Sequence, residues 1–218
     1  MKFKAILFDC DGVLVDSEPI TNGVLRDLLE ESGWSMTPQE CMDFFVGKAV
    51  RDERATIEAR TGQPLTEDWM RLFYERRNRE LAARLQIIEG AHAAVAAAHA
   101  HTGKRIACAS GADRFKVEMQ LTQVGLMDFF AGCVFSGHEM PRSKPAPDVY
   151  LAAAQHLNAP AQQCLVIEDS TVGVTAGAAA GATVWAFCPR PELGPALRQA
   201  GASHLFSHMA DLPQLLIL

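Results

Sequence analysis

The stretch Phe3-Lys4-Ala5-Ile6-Leu7-Phe8-Asp9-Cys10-Asp11-Gly12 decides how the rest of the chain is read. A short apolar run that stops at an acidic, glycine-containing turn reads as a buried strand delivering its end to a polar loop. Asp9 and Asp11 are spaced i, i+2, so both carboxylates can face one pocket while Cys10 between them points into the protein. Gly12 permits the sharp exit turn.

Beyond that loop the texture changes, and residues 19 to 85 look purely helical. Ile20, Val24, Leu25, Leu28 and Leu29 keep helical spacing and stop at Gly33. Thr37-Pro38-Gln39-Glu40 is a capping box with proline at the first helical position, opening a helix expected to end near Gly47. A third helix runs to Thr61-Gly62. A fourth starts near Thr66 and is expected to carry Trp69, Leu72, Phe73, Leu81 and Leu85 inward.

From Gly90 onward strands alternate with helices. Strands are predicted at 105–109, 132–136, 164–167 and 183–187, and helices at 91–101, 114–124, 147–157 and 171–180; the tail is weakly patterned. Such alternation implies right-handed βαβ units and a parallel sheet. The fold class is therefore α/β. A Rossmann-like parallel-sheet core, residues 1–16 and 88–218, is interrupted after its first strand by an inserted four-helix unit, residues 17–87.

Composition narrows the function classes. With 49% hydrophobic and 21% charged residues among 218, the chain is of globular, not disordered, type. A net charge of −6 and a pI near 5.6 argue against a nucleic-acid partner or a basic membrane-surface protein. No stretch approaches the roughly 20 apolar residues of a membrane span. The run before Asp9 is too short for a signal peptide. Six scattered cysteines without a CxxC pair read as reduced, mostly buried thiols. The expectation is a cytoplasmic protein, a monomer or weak dimer, with no nucleic-acid or membrane partner.

Four polar clusters fall at predicted strand ends: Asp9/Asp11, Ser110, Lys144 and Glu168/Asp169. In an open parallel sheet, ligands bind beyond those ends. A lone DxD is more often an exposed turn. With Glu168-Asp169 arriving from another strand, the clustered carboxylates repel, and a hard cation relieves them. Mg²⁺, which favours one or two carboxylates, waters and phosphate oxygens, suits the set. Ser110 with Gly111 opens a strand-to-helix connection whose N–H groups suit a phosphate oxygen. Lys144 precedes Pro145 and Pro147, which would stiffen its loop. Taken singly, that serine is a helix cap and that lysine is solvated; beside a carboxylate-bound metal, both fit a phosphate.

Phe8-Asp9-Cys10-Asp11-Gly12-Val13-Leu14-Val15-Asp16-Ser17-Glu18, Ala109-Ser110-Gly111, Lys144-Pro145-Ala146-Pro147-Asp148 and Ile167-Glu168-Asp169-Ser170 resemble the four ordered motifs of the haloacid dehalogenase-like hydrolase superfamily. The insert resembles the cap of its branch with a small α-helical lid. The resemblance implies that Asp9 is the nucleophile and Asp11 the general acid/base. It implies Mg²⁺ held by the Asp9 side chain, the Asp11 backbone carbonyl and Asp169, with Glu168 adjacent or behind them. Ser110, Gly111 and Lys144 would hold the phosphoryl group of a small phosphomonoester. Asp16-Ser17-Glu18-Pro19-Ile20 resembles the branch of sugar-phosphate phosphatases, the 6-phosphogluconate type among them, and β-phosphoglucomutase. Mutases of that branch carry a histidine where this chain has Thr21, which favours hydrolysis over mutation. In the cap, Lys48 and Arg51 are the candidates for contacting a sugar hydroxyl or carboxylate. A phospho-accepting signalling domain also combines paired aspartates, a hydroxyl and a lysine, but has no need of a lid.

Overall fold

The computed structural model describes residues 3–46 and 48–217; Gly47, the expected end of the second helix, lies outside the described residues. The chain forms two compact units, Met1–Asp16 with Ile87–Leu218, and Ser17–Gln86.

The first unit begins with strand β1 (Ala5–Phe8). After the second unit it continues through α5 (Ala91–His101), β2 (Ile106–Ser110), α6 (Arg114–Gln123), β3 (Val134–Ser136) and α7 (Asp148–His156). It ends with β4 (Cys164–Glu168), α8 (Thr171–Ala179), β5 (Thr183–Phe187), α9 (Gly194–Ala200), β6 (His204–Phe206) and α10 (Leu212–Leu215). The six strands form one sheet in the order β3-β2-β1-β4-β5-β6, and every neighbouring pair is parallel. This is the doubly wound α/β arrangement expected from the alternation.

Every residue of β1, β2 and β4 is buried, as both faces of a central parallel strand must be. In register, Phe8 stands opposite Cys108 on one side and Ile167 on the other, so β1, β2 and β4 end together. Beyond β1 the chain folds tightly on itself. The Leu14 N–H donates to the Cys10 carbonyl at 2.9 Å, and the Gly12 N–H to the Val15 carbonyl at 2.9 Å. Where the chain returns, the Ile88 N–H donates to the Leu14 carbonyl at 2.9 Å, so exit and return of the insert are tied together.

Small residues bring helices close to the sheet. Helix α8 buries Gly173, Val174, Ala176 and Gly177. A Cβ on Gly177 would lie 2.9 Å from Val184 Cγ2 and 3.1 Å from Val166 Cγ1, so β4 and β5 fill the space a side chain would need. The tail, weakly patterned in sequence, supplies the edge strand β6, which pairs Trp185 with His204 and Phe187 with Phe206. Three residues are too few for a legible alternation.

The second unit contains α1 (Glu18–Glu31), α2 (Pro38–Phe45), α3 (Arg54–Thr61) and α4 (Glu67–Arg84), numbered ahead of α5 in chain order. The capping box forms: the Glu40 N–H donates to Thr37 Oγ1 at 3.2 Å, and the Thr37 N–H to Glu40 Oε2 at 2.7 Å. The core joins Leu25, Leu28 and Leu29 to Cys41, Phe45, Ile57, Met70 and Phe73. One expectation holds only in part on α4. Phe73, Leu81 and Leu85 are buried as expected, but Leu72 is exposed and Trp69 only half-buried; Met70 and Arg77 join Phe73 and Leu81 in the inward stripe, spaced three and four residues apart. The buried Arg77 lies over the Tyr74 ring, its guanidinium carbon 4.8 Å from the centroid. Among the described residues, no helix is long and apolar enough to cross a membrane.

Two opposing effects meet in Gly177→Ala. Alanine raises helix propensity by about 1 kcal/mol, but overpacking against Val166 and Val184 costs about 1–3 kcal/mol. Packing should win. Urea unfolding is expected to show a net loss of about 1 kcal/mol, and an unchanged or raised midpoint would contradict the tight α8–sheet contact.

Candidate active site

The aligned ends of β1, β2 and β4 bring Asp9, Ser110 and Glu168 to one edge of the sheet, where the strand order changes direction between β1 and β4. The Asp9 N–H donates to the Ile167 carbonyl at 3.0 Å, which stitches the acidic loop to β4. The Lys144 ammonium reaches this junction from the loop before α7. It lies 2.7 Å from Asp9 Oδ1 and 2.7 Å from Glu168 Oε1, and donates to the Tyr150 hydroxyl at 2.9 Å. Tyr150, wholly buried on α7, donates in turn to Glu168 Oε1 at 2.8 Å.

Both oxygens of Glu168 are engaged. Oε1 takes Lys144 and Tyr150. Oε2 accepts the Asp169 N–H at 3.0 Å, the Ser170 N–H at 3.1 Å and the Ser170 hydroxyl at 3.0 Å. Ser170 Oγ then caps α8 by accepting the Gly173 N–H at 3.0 Å. Gly173 is required where it stands, because a Cβ there would fall 1.6 Å from Glu168 Oε1. Gly12 has a φ of +76°, and a Cβ on it would lie 2.1 Å from Asp169 Oδ2. The turn and the approach to Asp169 both demand glycine.

Burial pushes the Asp9 carboxyl up to about 7, and the neighbouring Glu168 and Asp11 charges push the same way against Lys144. Burial also opposes ionisation of Glu168, but the Lys144 ammonium and the hydrogen bonds it receives hold this carboxyl below its usual range. For Lys144, desolvation is overcome by Asp9 and Glu168, which raise it well above an ordinary lysine. Asp9 is thus the member left without full compensation.

Asp9, Glu168 and Asp169 each bring a carboxylate oxygen within 4.8 Å of the others, a group able to hold a metal ion. Both Glu168 oxygens already accept hydrogen bonds inside the protein. Clustered carboxylate oxygens of this kind are donors that Mg²⁺ accepts. The donor set and the raised Asp9 carboxyl both fit the ion that the motifs imply.

Ser110 is buried, and its Oγ accepts the Ala112 N–H at 3.0 Å, while Ser136 Oγ donates to the Ala112 carbonyl at 2.6 Å. The turn containing Gly111 is therefore held from two strands. Asp11 turns elsewhere. Its Oδ1 accepts from Lys116 Nζ at 2.7 Å and from Gln120 Nε2 at 3.0 Å, both on α6. Lys48 and Arg51 belong to the helical unit, where Lys48 pairs with Glu53 at 3.1 Å and Arg51 makes two 2.8 Å bonds to Glu67. All six cysteines are free thiols.

Lys116, Gln120 and Tyr150 escaped the sequence reading. The signal was present for the first two: positions 116, 117, 120 and 121 share one helical face, and Lys116 and Gln120 interrupt it where Val117 and Leu121 are buried. A lysine on a buried face requires a counter-charge.

Known proteins resemble this chain over most of its length. Residues 3–181 match the haloacid dehalogenase-like hydrolase family. The chain is 28% identical over 215 residues to the 6-phosphogluconate phosphatase of Escherichia coli, covering 98% of this chain and 95% of that protein. It is 27% identical to the fructose-1-phosphate phosphatase of the same organism, with 83% and 94% covered. A family hydrolase from Deinococcus radiodurans, crystallised with phosphate and sodium, superposes with a TM-score of 0.77 at 32% identity, over 97% of this chain and 93% of that one. A parallel sheet that gathers Asp9, Ser110, Lys144 and Asp169 at one edge, matched over most of its length, makes this chain a member of the haloacid dehalogenase-like hydrolases.

Proposed function

We propose that the protein is an Mg²⁺-dependent phosphatase that hydrolyses a small phosphomonoester, a sugar phosphate or phosphorylated sugar acid, through an aspartyl-phosphate on Asp9. The observation that carries this reading is the under-compensated, buried Asp9 carboxylate between Lys144 and the Asp169 side. The phosphatase names of the two Escherichia coli relatives support the substrate class.

In the first step an Asp9 oxygen attacks phosphorus, forming the acyl phosphate as the bond to the substrate's ester oxygen breaks. Lys144 and the Ser110 turn meet the phosphoryl oxygens and counter the charge that develops on them. Asp11 gives its proton to the departing alkoxide, then takes one from the water that attacks the acyl phosphate and releases Asp9. Mg²⁺ held by Asp9, Asp169 and the Asp11 carbonyl would supply charge neutralisation and orientation. Ser110 positions its turn through the Ala112 N–H, and Glu168 fixes Lys144 rather than touching substrate.

The helical unit serves in this reading as a cap that sets specificity. Lys48 and Arg51 would have to exchange Glu53 and Glu67 for substrate; exposed pairs of this kind contribute only about 0–1 kcal/mol, so the exchange costs little. With Thr21 in place of the mutase histidine, the reading favours water as the acceptor.

Release of inorganic phosphate from a panel of sugar phosphates and phosphorylated sugar acids, with 6-phosphogluconate and fructose 1-phosphate included, tests the substrate class. At least one should exceed p-nitrophenyl phosphate in kcat/KM. Asp9→Asn should lower turnover by at least about a thousandfold on every substrate, and near-wild-type activity would remove the nucleophile assignment.

Metal dependence has its own readout. Adding MgCl₂ at about 100 times its Kd should stabilise the folded protein by about 2.7 kcal/mol, seen as a rise in Tm. EDTA should reverse that rise and abolish phosphate release. Asp169→Asn should lose most of the Mg²⁺-dependent rise, and an undiminished rise in that variant would exclude Asp169 as a ligand.

A further inference from the structure

Lys116 and Gln120 stand on successive turns of α6, and both donate to the same oxygen of Asp11, at 2.7 and 3.0 Å. Both are buried, Gln120 completely. The amide of Gln120 is itself fixed, because its Oε1 accepts from the Cys10 thiol at 3.6 Å. Helix α6 is anchored where this contact begins: Asp113 caps it by accepting the Lys116 N–H at 2.9 Å. The chain therefore spends a buried cation and a buried amide on one oxygen of one loop carboxylate. Neither group has a packing reason to be there, since their neighbours Val117 and Leu121 fill the same face with apolar side chains.

We infer that Lys116, with Gln120, is a positioning residue of the reaction, holding the Asp11 carboxyl in the orientation from which it hands a proton to the leaving group. The inference rests on the assignment of Asp11 as general acid made above. Two donors on Oδ1 fix the rotation of the carboxyl group. The geometry divides two lysines between two aspartates: Lys144 serves Asp9 and Glu168, and Lys116 serves Asp11. The proton moves from the Asp11 carboxyl to the ester oxygen as the phosphorus–oxygen bond breaks and Asp9 bonds to phosphorus. No other reactant is needed for that step.

A leaving-group comparison tests the inference. Departure of an alkoxide needs the proton, whereas departure of p-nitrophenolate does not. The parameter kcat/KM reports only events up to formation of the acyl phosphate, so the later hydrolysis, which also uses Asp11, does not enter. Lys116→Met, Gln120→Met and Asp11→Asn are assayed beside wild type, with Mg²⁺ present, on the best sugar phosphate of the panel and on p-nitrophenyl phosphate. The ratio of the two kcat/KM values does not depend on the fraction of folded enzyme, so partial misfolding cannot imitate the effect.

Asp11→Asn should depress the ratio of sugar phosphate to aryl phosphate by about 100-fold or more, and Lys116→Met by about tenfold or more. Gln120→Met should move the ratio in the same direction by less. If Asp11→Asn depresses the ratio and neither α6 variant does, the positioning role is overturned while the proposed function stands. If Asp11→Asn leaves the ratio unchanged, the general-acid assignment falls, and the inference with it. Equal losses on both substrates in Lys116→Met identify a merely structural lysine and overturn the inference.

Discussion

The Lys144 ammonium sits 2.7 Å from Asp9 on β1's loop and 2.7 Å from Glu168 on β4, and the architecture of the sheet edge follows from that shared contact. Two carboxylates brought this close in a buried place would otherwise exclude one another from ionising together. Burial of a charged pair is costly and succeeds only when the remaining polar atoms are also satisfied. Glu168 meets that condition through Tyr150, Ser170 and the backbone; burial, aided by the Glu168 and Asp11 charges, raises the Asp9 carboxyl to about 7 against Lys144. The lysine thus holds one acid below its usual range while the other stays raised.

That contact dictates backbone chemistry on both sides. To bring the Glu168 carboxylate under the first turn of α8, position 173 must lack a side chain; to let the β1 loop pass Asp169, position 12 must lack one and adopt a positive φ. The sheet accepts this because its strands are buried and register-locked, with Phe8 set between Cys108 and Ile167. A one-residue slip of β1 would carry Asp9 to the opposite face, so packing of four apolar residues enforces the position of one acid.

Much of this was legible before any coordinates. The apolar run ending at Asp9, the strand–helix alternation after Gly90 and the Thr37–Glu40 capping box are local patterns, and local patterns survive folding. Asp9, Ser110, Lys144 and Glu168/Asp169 could be placed at strand ends because parallel topology sends every such end to one edge. What escaped depended on tertiary partners. Leu72 has the right chemistry for a core and the wrong angle on α4, while Arg77 has the wrong chemistry and finds Phe73 and Tyr74 to cover it. Strand β6 is three residues long and owes its existence to β5. The double occupation of Glu168 is invisible in the dipeptide itself.

Asp9 and Asp11 illustrate how two identical side chains separated by one residue come to differ. Their neighbours divide them: Asp9 shares its lysine with a second carboxylate, whereas Asp11 has a lysine and an amide on one oxygen. Negative charge therefore remains in excess on the Asp9 side and is matched on the Asp11 side. In the proposed function a cation would be drawn to that excess and a phosphate to the cation and Lys144, which would let a chain of net charge −6 hold an anionic substrate. On the matched side one carboxyl oxygen is fixed by two donors, a setting that suits the proton transfer proposed for Asp11. Separation of environments between neighbouring acids is a general route to separate catalytic roles. Here the separation is built by which helix each acid faces, α7 with its preceding loop for Asp9 and α6 for Asp11.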